Sequence, residues 1–249
     1  MQTVNGVIIR DRKVGDNDKA VTVLTREIGL IDITVRGAMK ITSKSSSSIQ
    51  LFMYSKLCIN ESKGRYYLDS AEPVNVFYNI RLDVEKFALA SYFSELITYS
   101  VLFGQPCDII TRLLLNTLYF LDNGKLSHRI LKPIFELRFI SELGHLPALL
   151  GCCQCNCYEH EKMYFNLYDG KLTCGDCSKV GEIDNIIKLS PDILNAVRYI
   201  SLIDYKKLYN IRLPDNLRAE LSEITENYVS VQLGKRFKTL DFYKTIISQ

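Results

Sequence analysis

Six of the chain's eight cysteines fall between Cys152 and Cys177, in the stretch GCCQCNCYEHEKMYFNLYDGKLTCGDC. Within it the pair Cys152-x-x-Cys155 is followed, after eighteen intervening residues, by Cys174-x-x-Cys177. Two such pairs let two tight turns aim four sulfurs tetrahedrally at one ion, the spacing of a four-thiolate zinc ribbon. A disulfide scaffold would be shorter, with its cysteines spread out and an export signal in front, whereas the opening MQTVNGVIIRD has no apolar segment of that kind. A redox site would need one C-x-x-C between a strand and a helix, not two facing pairs. The expected ligands are Cys152, Cys155, Cys174 and Cys177, with Cys153 or Cys157 as substitutes in the crowded first pair. Four sulfurs leave no open position for water, so one zinc ion here is structural rather than catalytic.

The chain has 249 residues, room for two domains or one large one, and its 47% apolar content supports packed cores. It has no run of about eighteen uncharged apolar residues of the kind that spans a bilayer. Cytoplasmic residence, with thiols kept reduced for a metal, is expected. The formal net charge of +3 is unevenly spread. Residues 1–80 carry eleven Lys and Arg against eight Asp and Glu, and the remainder carries twenty of each. From Arg36 to Arg65, six cations face the single acid Glu61. A basic stretch among aromatics has the character of a groove for single-stranded nucleic acid, and equally of a solvated loop face.

Periodicity divides the chain. VNGVIIRDR, AVTVLT, GLIDITVRG, LFMYSKLCIN and RYYLDSAE are short, β-branched and aromatic runs separated by turn residues. Five such strands in about 70 residues predict an OB-fold barrel, with an SH3-like barrel as the alternative. The serine-rich MKITSKSSSSIQ between the third and fourth runs predicts a mobile basic loop that packs no core. From Asn79 the period is helical. Asn123-Gly124 marks a helix end, Pro133 the opening of PIFELRFISELG, and Ser190-Pro191 the start of another helix; the last runs from about Asp215 with an interruption at Gly234. The predicted class is α+β and multidomain: an OB-fold barrel over 1–79, an α-helical domain over 80–150 and 179–249, and a four-cysteine ribbon inserted at 151–178.

Neither a G-x-x-x-x-G-K-[ST] loop, a G-x-G-x-x-G turn nor an H-E-x-x-H helix occurs. The three histidines, His128, His145 and His160, have no catalytic partner at readable spacing; His145 reads as a helix-end residue and His160 as part of an exposed ribbon tip. Nothing in the sequence argues for an enzyme.

The ordered set of segments resembles the bacterial RecO family of recombination mediators. The opening VNGVIIRDRKVGDNDKAVTVLTREIGLIDITVRGAMKITSK is similar to that family's, with its T-R-E-x-G step and basic R-G-A segment. ELRFISELGHLPALLGCCQC resembles its helix, L-G-x-x-P step and first cysteine pair, FNLYDGKLTCGDC its second pair, and LGKRFKTLDFY its closing basic segment. Departures are Thr239 where the family often has Ser, Asn156 where Gly often follows the first pair, and the extra Cys153 and Cys157. The resemblance implies a protein without covalent chemistry that binds single- and double-stranded DNA, anneals complementary strands and, with RecR, loads RecA onto DNA coated by single-strand binding protein. On that footing the phosphate contacts expected are Arg36, Lys40 and Lys44 at the barrel and its serine-rich loop, Lys13 and Lys19 at the first turn, and Lys63 and Arg65 at the turn before the last strand. Tyr54, Tyr66 and Tyr67 are candidates for base stacking or for barrel core. Arg129, Lys132 and Arg138, flanking an apolar helix, are candidates to meet the acidic tail of single-strand binding protein. A transcription or translation factor that binds RNA or RNA polymerase through a zinc ribbon fits the same combination of elements. A thiol oxidoreductase using Cys152 and Cys155 is the enzyme alternative.

Overall fold

The computed structural model describes residues 1–40, 46–178 and 185–248. Packing groups the chain into two compact units, Met1–Lys125 with Phe237–Gln249, and Leu126–Arg236.

The first unit opens with β1 (Gln2–Val14), β2 (Asp18–Thr25), β3 (Gly29–Val35), β4 (Met53–Ser62) and β5 (Arg65–Val76). They close a barrel in the order β1-β2-β3-β5-β4. The first half of β1 pairs with β4, the second half with β2, and β3 lies parallel to β5 at Ile33–Tyr66 and Thr34–Tyr67. This is OB-fold order, not the SH3-like alternative. Alternation fixes which face is core: Ile31, Ile33 and Val35 are buried while Asp32 and Arg36 are exposed. A register shift between Ile8 and Arg10 lets β1 bend from one partner to the other.

The serine-rich segment departs from expectation. Ser48 and Ile49 are buried, and Ile49 joins the barrel core beside Met53 and Leu57. The Ser48 carbonyl accepts the buried Ser55 hydroxyl at 2.6 Å, which satisfies the polar backbone of the turn and lets it plug the barrel. Lys44 lies outside the described residues.

Helices α1 (Tyr78–Leu82), α2 (Val84–Ser100), α3 (Asp108–Asn123) and the C-terminal helix (Lys238–Ile247) complete this unit. Asp83 caps α2 through the Glu85 and Lys86 amides, and α3 ends on left-handed Gly124 as its Asn-Gly pair predicts. Glu95 accepts the amide and hydroxyl of Thr239 at 3.1 and 2.5 Å, capping the C-terminal helix from α2. The loop between α2 and α3 is tied to the barrel: the Gly104 amide donates to the Leu30 carbonyl and the Cys107 amide to that of Arg26, both at 3.0 Å. Gly29 makes this approach feasible. Its φ is +63°, and a Cβ there would sit 1.9 Å from the Gln105 carbonyl oxygen. Gly29→Ala is expected to lower stability by about 2 kcal/mol, from left-handed strain alone before the loop is displaced. The midpoint of urea unfolding measures it, and an unchanged midpoint would show that the loop does not need this contact.

The second unit holds α4 (His128–Ile140), a four-stranded sheet, α5 (Pro191–Leu202) and α6 (Asp215–Leu233). Every residue of α4 from Ile130 to Ile140 is buried. Pro133 does not open this helix. Ser127 does, its hydroxyl accepting the Arg129 amide at 3.3 Å, and Pro133 lies within it. A π turn at Ser141–His145 ends the run on Gly144 (φ +95°). Ser190 caps α5 with Pro191 in its first turn, and α6 ends on left-handed Gly234, both as expected. The sheet has the order β6-β8-β7-β9, from β6 (Ala148–Cys152), β7 (Met163–Asn166), β8 (Lys171–Cys174) and β9 (Ile186–Leu189). Among the described residues, no helix is long and apolar enough to cross a membrane.

Candidate metal centre and nucleic-acid interface

The ribbon brings four of its cysteines to one point. Cys152 ends β6 and Cys174 ends β8, which run parallel. Each enters a turn closed the same way: the Asn156 amide donates to the Cys152 carbonyl, and the Ser178 amide to that of Cys174, both at 2.9 Å. The turns carry Cys155 and Cys177 back over their partners. The four Sγ atoms all lie within 4.8 Å of one another, and those of Cys155 and Cys174 are 3.6 Å apart. Tetrahedral thiolates at a zinc–sulfur distance of ~2.3 Å stand ~3.8 Å apart, so the set fits one ion with little adjustment.

The electrostatics suit a cation. Burial raises the Cys152 thiol, but the amides of Cys155, Cys174 and Gln154 outweigh it and hold this group at about 6. Cys155 is also lowered, chiefly by the Cys157 amide. Hydrogen bonding to Cys155 pushes Cys157 up to about 12, and hydrogen bonding to Cys174 raises Cys177. Thiols gathered this closely share protons that a divalent ion displaces. Cys157 lies outside the set of four sulfurs gathered within 4.8 Å, and exposed Cys153 faces the Thr173 hydroxyl at 3.7 Å. His160 is no free tip. Its Nδ1 accepts the amides of Lys162 and Gly175 at 3.1 and 3.3 Å, bracing the second turn.

On the barrel, hydrogen bonds gather the basic turns. The Gly37 amide donates to Asp18 Oδ1 at 2.7 Å and the Met39 amide to the Asn17 carbonyl at 2.9 Å, fastening the turn after β3 to the β1–β2 hairpin. Lys13 and Lys19 are opposite each other on that hairpin. Lys19, however, is held by Asp11 at 2.7 Å, so much of its charge is already answered. Arg36 and Lys40 are exposed, and the Arg36 guanidinium lies over the Tyr67 ring at 4.7 Å, a flat cationic platform. Lys63 and Gly64 both have positive φ and form the two-residue turn between β4 and β5, which presents Lys63 and Arg65 to solvent. Tyr66 packs against the barrel core. Tyr54, partly buried, sits in β4 across from Val7 and Asn75.

The chain-wide comparison decides what this combination is. Residues 1–77 match the family model described as Recombination protein O N terminal, and residues 81–241 match Recombination protein O C terminal. The chain belongs to the RecO family. Among curated relatives, the DNA repair protein RecO of Acetivibrio thermocellus is 28% identical over 97% of this chain and 96% of its own length. That of Caldicellulosiruptor bescii is 28% identical over 97% of both, and that of an Exiguobacterium strain 30% identical over 96% and 94%.

The RecO-family helical region corrects two sequence expectations. Lys132 is 2% exposed and Arg138 is 7% exposed, so neither offers its charge to a partner. Lys132 Nζ is within 3.0–3.3 Å of Glu136, Glu226 and Ser222. Arg138 donates to the Ser201 carbonyl at 2.7 Å and lies 4.1 Å from the Tyr205 ring centre. Arg129 alone of the three is exposed. The sequence reading also passed over Arg10 and Arg12, exposed on β1. Their alternation with Asp11 and Lys13 in RDRK was the available signal for a cationic strand face.

Proposed function

We propose that this RecO-family protein is a DNA recombination mediator. It binds single- and double-stranded DNA through phosphate contacts on the barrel, anneals complementary strands, and acts with RecR to load RecA onto DNA coated by single-strand binding protein. It brings strands and proteins together in the cytoplasm rather than making or breaking bonds. One observation carries the reading: in a chain matched by the RecO models over residues 1–77 and 81–241, the two turns that OB-folds use for nucleic acid carry Lys13, Lys63 and Arg65 on the surface, and the turn after β3 adds Arg36 and Lys40. Annealing must bring two phosphate backbones together against their repulsion, and exposed cations lower that barrier.

The work is divided in this reading among a barrel over 1–79, a helical region over 80–150 and 179–249, and the ribbon over 151–178. The ribbon holds zinc on Cys152, Cys155, Cys174 and Cys177 and serves the fold. The acidic tail of single-strand binding protein docks on the helical region, where Arg129 remains the accessible candidate.

The test is annealing of labelled complementary oligonucleotides, with and without single-strand binding protein. Acceleration that fades with salt supports mediation, and none at low salt with folded, metal-loaded protein overturns it. Lys40→Ala is expected to flatten the log–log salt dependence of single-strand binding by ~0.7, the effect of one lost phosphate contact. An unchanged slope removes Lys40 from the interface.

A further inference from the structure

Cross-strand register places Arg12, Ala20 and Thr34 in one row across β1, β2 and β3, and Arg10, Thr22 and Asp32 in the next. Of these, Arg12, Ala20, Thr34 and Asp32 form the floor of a groove of about 650 Å³. One wall comes from the start of β5, with Arg65 and Tyr66. Phe103, which belongs to no barrel strand, also lines it. Backbone bridges to Gly29 and Leu30 hold its main chain in place, yet the residue is 53% exposed. The one carboxylate on the lining, Asp32, accepts the Thr22 hydroxyl at 2.6 Å. Arg12 and Arg65 are exposed above it.

We infer that this groove is the path of a single unpaired DNA strand, with Arg12 and Arg65 on consecutive phosphates and a base stacked on Phe103. This rests on the DNA-binding role proposed above and narrows it to one track. A groove with two arginines and an exposed aromatic fits a polyanion whose bases have free faces. Bases in a duplex are already stacked on both sides and cannot use Phe103. The backbone bridges hold the Phe103 main chain beside Leu30 before any strand arrives, so the loop itself need not order on binding. Arg36 on Tyr67 continues the same seam, because Tyr67 pairs with Thr34 on the groove floor.

The test measures a single-stranded oligonucleotide and its duplex on wild type, Phe103→Ala and Arg12→Ala. Phe103→Ala is expected to weaken single-strand binding roughly 5- to 100-fold, as loss of one stacked base does, with the salt slope and duplex affinity unchanged. Arg12→Ala is expected to flatten the single-strand slope by ~0.7. The chain contains no tryptophan. Phe103→Trp therefore makes a sole reporter, whose fluorescence single strands should quench and duplex should not. Equal binding by wild type and Phe103→Ala, equal weakening of both DNA forms, or an unquenched Trp in the bound state overturns the groove alone. Wild type that binds no DNA at low salt overturns the mediator reading and the groove together.

Discussion

Lys132→Ala is expected to destabilise the unit Leu126–Arg236 by about 3–5 kcal/mol, because it strands a buried carboxylate. Glu136 is fully buried and Lys132 is its cation at 3.0 Å. With the lysine gone, the Thr225 hydroxyl at 2.5 Å still donates to Glu136, but a neutral donor does not balance the charge. The Ser222 carbonyl and hydroxyl, now satisfied by Nζ at 3.0 and 3.1 Å, would lose that donor as well. The network joins α4 to α6, so the loss falls on helix packing. Urea unfolding followed by circular dichroism measures it. The double replacement Lys132→Met with Glu136→Leu is expected to recover most of the loss, since an apolar pair of similar volume carries no desolvation cost. A single variant that loses less than about 1 kcal/mol would mean water reaches Glu136. The same experiment guards a binding assay: weaker partner binding by Lys132→Ala would report a loosened helix pair, not a lost contact.

This buried lysine shows where sequence reading stops. Lys132 and Arg138 sit in an apolar helix and read as its charged rim, since isolated cations usually face water. The i,i+4 spacing of Lys132 and Glu136 hinted at a pair. Its burial depends on Ser222, Thr225 and Glu226, about 90 residues later, and no local pattern announces that. The barrel was legible for the opposite reason: alternation in DITVR and the turn residues around it are local, and they decide which face is core. Serine content suggested a mobile loop over MKITSKSSSSIQ, but a serine packs well when its carbonyl and hydroxyl find partners, as Ser48 and Ser55 do. Of the candidate strand groove, Arg65 and Tyr66 were readable as a turn and its flank. Phe103 was not, because it reaches Leu30 through the α2–α3 loop from some 70 residues away.

The four-cysteine cluster was the most legible candidate site, since the spacing of its pairs is itself local, and it carries the largest expected effect. The protein is expected to hold one zinc per chain, and Cys152→Ser or Cys174→Ser to reduce that to near zero. These two are the buried sulfurs at the ends of β6 and β8. Structural zinc contributes about 10–16 kcal/mol of apparent binding energy in zinc-finger peptides at neutral pH. The sheet is built of four- and five-residue strands, so the ion is expected to hold a large share of its turns. Amide exchange should therefore lose its protection in β6, β7, β8 and β9 when these ligands are replaced or a chelator is added, while β1–β5 stay protected. Cys153→Ser separates ligand from bystander: its sulfur faces Thr173, and zinc content should not change. Acid should mimic the chelator. The ligands bind as thiolates, so falling pH returns protons to them and expels the ion. Full zinc content in both Cys152→Ser and Cys174→Ser would sink the four-ligand assignment, because Cys153 and Cys157 would then have to supply the missing sulfurs.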